Sequence, residues 1–292
     1  MGQTPVRADA FARWLAAERR SIPPAAAGLL GLTLLVTSAG FYRLVYFISL
    51  GYAFSVVALA KATALRFWPN RTPAAALQGA LLAAWGLRLG GYLLRRQLEP
   101  SYREQLAAVD ARNAAVPLPR RALIWGGVSL LYLLMFAPNL FAWVTPRRRQ
   151  RYGTGLRAVR AAGLGTMGAG LALEAVADRQ KADFKRRHPR RYCDVGLYTV
   201  VRCPNYLGEI TFWLGSWLAG LPLYTSLARA LSALAGLVCI VLIMLGSTKR
   251  LERGQDERYG ALPAYREYAA GVPVLIPFVP LYSLQGVRVY LE

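Results

Sequence analysis

Apolar residues in this chain come in blocks long enough to cross a lipid bilayer, with polar breaks between them. A spanning helix needs about 20 such residues, and its backbone polar groups must be satisfied within the segment. Seven blocks stand out: about Ala25–Gly40, Leu44–Leu65, Ala74–Leu94, Ala122–Val144, Val159–Ala177, Tyr206–Tyr224 and Ala230–Ser247. The first two are together too long for one helix at 1.5 Å per residue, so they are split at Tyr42–Arg43. Pro73 opens the third block, Arg95–Arg96 close it, and Pro138 is expected to kink the fourth near its end. The expected fold is all-α: a polytopic membrane bundle of about seven transmembrane helices over residues 25–248. An interfacial segment precedes it at 1–24, with an amphipathic turn around Phe11, Trp14 and Leu15, and a basic tail follows at 249–292. The longest polar stretches leave no room for a second, soluble domain.

The net charge is +21. A nucleic-acid surface collects such charge on one folded face, whereas here Arg residues lie between apolar blocks, as in inside-positive loops of membrane proteins. The implied partner is the lipid bilayer and not nucleic acid. Placing the C-terminus in the cytoplasm puts the basic loops 95–121, 178–205 and 249–292 on that side and leaves Arg147–Arg151 outside. A bacterial inner membrane, the endoplasmic reticulum and a mitochondrial inner membrane fit equally. Three cysteines without a CxxC pair and a single histidine, His188, give no metal or disulfide framework.

Glycines mark close helix contacts. Gly86 and Gly90 form a GxxxG pair, and Gly163, Gly165, Gly168 and Gly170 line the fifth block. Gly163–Gly168 also fits the dinucleotide pattern GxGxxG. It lies in an apolar span with no preceding strand, which leaves packing as its reading.

The chemistry concentrates between Leu173 and Gly215. Glu174 and Asp178 share one helix face at i, i+4 spacing. A basic run from Arg179 through Arg191 follows, then a turn at Asp194–Gly196, then Arg202-Cys203-Pro204-Asn205-Tyr206. Pro204 suits the first turn of a helix. Glu209 lies one turn deep among Phe212, Trp213 and Trp217, where an ionisable group is costly and marks a site. Arg forks nearby suit phosphate, either of a dinucleotide or of an anionic lipid. Asn205 could equally be a helix cap, and the Arg run an ordinary inside loop.

The order Glu-x-x-x-Asp-Arg-Gln-Lys, a basic loop, Gly-Leu-Tyr and Arg-x-Pro-Asn-Tyr-x-Gly-Glu resembles the DUF1295 and steroid 5α-reductase C-terminal family over residues 173–217. Trp85–Tyr92 upstream, and Tyr265–Tyr268 with Leu275–Pro277 downstream, extend the likeness. The resemblance implies a bundle that holds NADPH at its cytoplasmic end. Asn205 and Glu209 would meet the nicotinamide end, and Asp178, Arg179, Lys181, Arg202 and Tyr206 complete the candidate cofactor set. The implied reaction is hydride transfer to a C=C bond conjugated to a carbonyl in a sterol-like or other hydrophobic lipid.

The sequence departs from that family at two places. Cys203 stands where the family has His, and the second block lacks the carboxylate of the family's carbonyl-polarising Glu/Tyr pair. Tyr92 is the candidate catalytic donor, with Tyr42, Tyr46 and Tyr52 behind it. Two other functions stay open: a non-catalytic subunit of a larger membrane complex built on the same fold, and an S-adenosylmethionine-dependent membrane methyltransferase.

Overall fold

The computed structural model describes residues 24–287, and the expected N-terminal amphipathic turn lies outside them. Among the described residues there is no strand. The chain divides into two compact units, Met1–Arg151 and Tyr152–Glu292.

In the first unit, α1 covers Pro24–Phe41 and ends in a 3₁₀ turn. A second 3₁₀ turn, Leu44–Phe47, leads into α2 (Leu50–Arg66). Then come α3 (Pro73–Arg96), α4 (Pro100–Asn113) and α5 (Leu118–Val144). The break falls at Tyr42–Arg43, as the sequence predicts, and has a physical cause. Arg43 is extended, its Nε lies 3.2 Å from Asp110, and its guanidinium covers the rings of Tyr42 and Tyr46. Thr72 caps α3 by accepting from the Ala75 N–H, and Pro73 occupies the first turn. Gly86 and Gly90 serve the close contact their spacing suggests. A Cβ on Gly86 would meet the Ala53 carbonyl at 2.6 Å, and one on Gly90 the Phe54 ring at 2.8 Å. Hydroxyls bind the helices where lipid offers no hydrophobic drive: Thr37 and Ser129 are 2.8 Å apart, and Tyr132 donates to the Phe47 carbonyl at 2.8 Å. Helix α5 runs on through Pro138 to Val144.

The second unit is built on α6 (Thr154–Arg187), α7 (Pro204–Gly220) and α8 (Leu227–Tyr259), followed by α9 (Pro263–Gly271). Here charge misleads. Residues 178–187, expected in a basic loop, continue α6, and residues 249–259 of the expected tail continue α8. Loop 95–121 likewise holds α4. A charged face outside the bilayer is solvated without leaving the helix, and Asp183 supports the extension by pairing with Arg179 at 3.9 Å and Arg186 at 2.6 Å.

Among the described residues, four segments are long and apolar enough to cross a membrane: Pro24–Phe41, Leu44–Arg66, Leu118–Val144 and Leu227–Tyr259. Helix α7 has 17 residues and falls short in length, and α3 and α6 fall short in apolarity.

Helices α6 and α7 meet backbone to backbone. A Cβ at Gly163 would lie 2.4 Å from the Ala219 nitrogen, at Gly170 2.4 Å from the Phe212 nitrogen, and at Gly215 2.5 Å from the Met167 nitrogen. At Gly208 it would lie 2.6 Å from the Glu174 nitrogen. Gly208→Ala should therefore force the helices apart and lower stability by about 1–3 kcal/mol. Gly165→Ala, whose Cβ would meet nothing within 4 Å, should be neutral or stabilising. Thermal unfolding of both variants in one detergent measures the difference.

Candidate functional site

The glycine seam decides which acids meet. Gly208 lies against the backbone of Glu174, so Glu209 enters the same region from α7. Glu174, Asp178 and Glu209 are all buried, at 3%, 8% and 7% exposure. Along α6 the helical period sets Glu174, Asp178, Lys181 and Lys185 on one face. Arg179 lies on the other side of α6, its side chain 86% exposed. The structure thus brings Asp178, Lys181 and Glu209 to one end of the unit and leaves Arg179 at the surface.

Asn205 occupies the first turn of α7, and Cys203, not Asn205, is the capping position. No side chain caps the helix, and the Asn205 Oδ1 is buried without a hydrogen-bond partner among the described residues. Glu209 follows four residues later on the same face. Burying an amide oxygen without a donor costs roughly 1–3 kcal/mol, so this atom is poised for a ligand's N–H or O–H.

Arg202 is committed inside the protein. Its Nη2 lies 3.1 Å from Glu252 Oε1 and also donates to the Tyr282 carbonyl, and its backbone N–H donates to the Pro273 carbonyl at 2.9 Å. The other Glu252 oxygen accepts from the Leu284 N–H at 2.9 Å. This buried pair staples the start of α7 to α8 and to the segment after α9. Cys203 lies in an apolar cluster with Val274, Leu275 and Leu284, against which Tyr206 packs. Burial pushes the Cys203 thiol up to about 11, with Lys181 and Arg202 opposing the shift, so it stays neutral at physiological pH.

Several motif residues build the scaffold. Gln180 Oε1 accepts from the Leu197 N–H at 2.9 Å. Gly196 has φ +59°, and a Cβ there would lie 2.6 Å from the Gln180 side chain. The Tyr198 hydroxyl reaches the Ala177 carbonyl at 3.3 Å. A tyrosine cluster that sequence reasoning missed roofs this end. Tyr192 stacks on Tyr268 at 5.2 Å and meets Tyr265 edge-on at 5.1 Å. Tyr265 donates to Asp256 at 2.7 Å, Tyr268 donates to the Tyr198 carbonyl at 2.7 Å, and Lys185 donates to the Tyr259 hydroxyl at 3.0 Å. The signal for Lys249, Glu252 and Asp256 was their 3-and-4 spacing, visible once α8 is continued past Ser247.

The tyrosines expected as candidate donors lie in the first unit. Tyr92 is half-buried in α3. Tyr46 donates to Gln97 at 2.9 Å, Tyr42 is exposed, and Tyr52 is buried against Trp85 and Tyr132.

An all-α chain with four spans of this length and apolarity defines a membrane-embedded protein. The chain belongs to the DUF1295 family, described as a protein of unknown function, whose family model matches residues 40–272. No curated protein matches the chain, and no solved structure does.

Two outcomes follow. Glu252→Ala strands a buried guanidinium and should cost about 3–5 kcal/mol, read as a lowered melting temperature. Cys203 should resist iodoacetamide at pH 8 in the folded chain and react once the chain is denatured. Because its folded value is raised, the stability this thiol confers is present below the ordinary thiol range. It is lost as pH rises from that range toward about 11.

Proposed function

We propose that this chain is a membrane-embedded, NADPH-dependent reductase of a C=C bond conjugated to a carbonyl in a sterol-like or other lipid. The observation that carries the reading is the buried, partnerless Asn205 Oδ1, on the same helix face as the buried Glu209. A nicotinamide carboxamide offers an N–H donor of the kind the Asn205 oxygen needs, and Glu209 lies one turn on along the same face, so the residues present fit that end of the group. When bound, the dinucleotide supplies a hydride. Asn205 and Glu209 orient the ring, and Lys181, on the Glu174–Asp178 face of α6, offers charge to phosphate. Tyr92 is the candidate donor to the substrate carbonyl, where charge develops as the enolate forms. Seven spans belong to this proposal. Helices α3, α6 and α7 cross the bilayer as well, α7 as a short apolar span and α3 and α6 with their apolarity lowered by the glycines that pack them against neighbours.

A second reading, a non-catalytic subunit of the same fold, is favoured by Arg202 and Cys203. The first spends its charge on Glu252, and the second is a neutral thiol where the resembled family has an imidazole. Titration of the purified protein with NADPH, followed by nicotinamide fluorescence, tests the choice. Saturable binding is expected, weakened roughly 10- to 100-fold by Glu209→Ala and about 10-fold by Asn205→Ala. No binding at any concentration ends the reductase reading. Recovery only within a larger complex would then support the subunit, and thermal stabilisation by S-adenosylmethionine would support the methyltransferase.

A further inference from the structure

Beyond α9 the chain forms a loop whose base is fixed and whose tip is apolar and exposed. Val274, Leu275 and Leu284 are buried at the base. The Val274 N–H donates to the Leu281 carbonyl at 2.8 Å, and Arg202 and Glu252 hold both arms. The tip is Ile276-Pro277-Phe278-Val279-Pro280. Phe278 is 95% exposed, the highest value for a large apolar side chain among the described residues, and Ile276 and Val279 are about half exposed. Phe278 also has φ +62°, a left-handed conformation that is a genuine outlier for a bulky residue and persists only where its surroundings impose it. Turn bonds on either side, Val279 N–H to Ile276 and Leu281 N–H to Val279, supply that constraint.

Three observations say what covers the tip. First, the loop base packs on Tyr206, Leu207 and Ile210 of the first turns of α7, and on Leu245 and Leu251 of α8. Leu245 belongs to the apolar run of α8, and Lys249 and Arg250 begin its charged continuation. The loop therefore stands at the level where α8 leaves the hydrocarbon. Second, the basic groups at this end, Arg250 and Arg253 on α8 and Arg186 and Arg187 on α6, suit anionic headgroups. Third, aromatic and aliphatic side chains on a surface loop gain by entering the acyl boundary.

We propose that Ile276–Val279 is an interfacial anchor, with Phe278 inserted into the headgroup–acyl boundary on the side where α7 begins. The anchor holds the segment after α9 against the bilayer. It does not depend on whether the chain is a reductase.

The test places a nitroxide at Phe278→Cys or Val279→Cys, and at the control Glu267→Cys on α9, in full-length Cys239→Ser protein; Cys193 and Cys203 are buried. In nanodiscs of phosphatidylcholine and phosphatidylglycerol, the label at 278 and 279 should collide with oxygen and lose access to water-soluble nickel chelate. The label at 267 should show the reverse. A label at 278 as open to nickel as the one at 267 overturns the proposal. So does a label shielded from both reagents, because a second copy or a protein partner would then cover the tip. Hydroxyl-radical footprinting of the unmodified chain needs no substitution. Phe278 should be protected in nanodiscs, and oxidation as fast as in the denatured chain overturns the proposal.

Discussion

The contact on which the second unit depends is the meeting of α6 and α7 with no side chain between their backbones. In lipid, apolar side chains gain little by leaving one apolar surroundings for another, so helices associate through close approach. Gly163, Gly170, Gly208 and Gly215 permit that approach, and the seam then has no freedom of register. Glu174 lies beside Gly208 because nothing larger fits there. Three carboxylates follow into a region of low polarity, where their charge is expensive without cations or donors around them. Lys181 and Lys185 share the α6 face of two of these acids, while Arg202 is held by Glu252 and Lys249 by the Val287 carbonyl.

Within that frame, most of the motif that catches the eye in the sequence is architecture. Gln180 clamps Leu197, Gly196 supplies a positive-φ turn, Tyr198 reaches back to Ala177, and Arg202 staples three segments together. What remains after these roles are assigned is small: the Asn205 amide oxygen, Glu209, and the α6 face that carries Asp178 and Lys181. A site defined by subtraction has an advantage over one defined by charge. Among them the Asn205 amide oxygen is the one buried atom whose cost no described hydrogen bond repays.

The apolar blocks were legible because the bilayer imposes a length on every span, and the break at Tyr42–Arg43 was legible because a guanidinium cannot be buried cheaply. The ends of α6 and α8 were not. Charge runs such as Lys185-Arg186-Arg187 read as loop, yet a helix keeps its hydrogen bonds on leaving the membrane and only its solvent changes. At the site, sequence could point to Asn205 and Glu209 but not separate Arg202 from Arg179 or Lys181. Among basic groups, function depends on which ones find an internal partner. Arg202 finds Glu252, 50 residues away along the chain, a pairing no local pattern announces. The tyrosine roof was hidden for the same reason, since Tyr192, Tyr259 and Tyr268 converge only after folding.

The position of Arg202 ties the two proposals together mechanically without making either depend on the other. Three residues before Asn205, its backbone N–H holds Pro273 and its guanidinium holds Tyr282, so it grips both arms of the loop that ends in Phe278. The loop and the start of α7 are thus tied to each other, with the buried Arg202–Glu252 pair as the joint. Truncating either partner of such a pair leaves a charge stranded in a dry environment, so the joint does not slip gradually. It holds or fails as a unit. That gives the neutral Cys203 a plain role. A small, uncharged side chain packs into the cluster beneath the joint, where an imidazole would bring a polar edge needing a partner of its own.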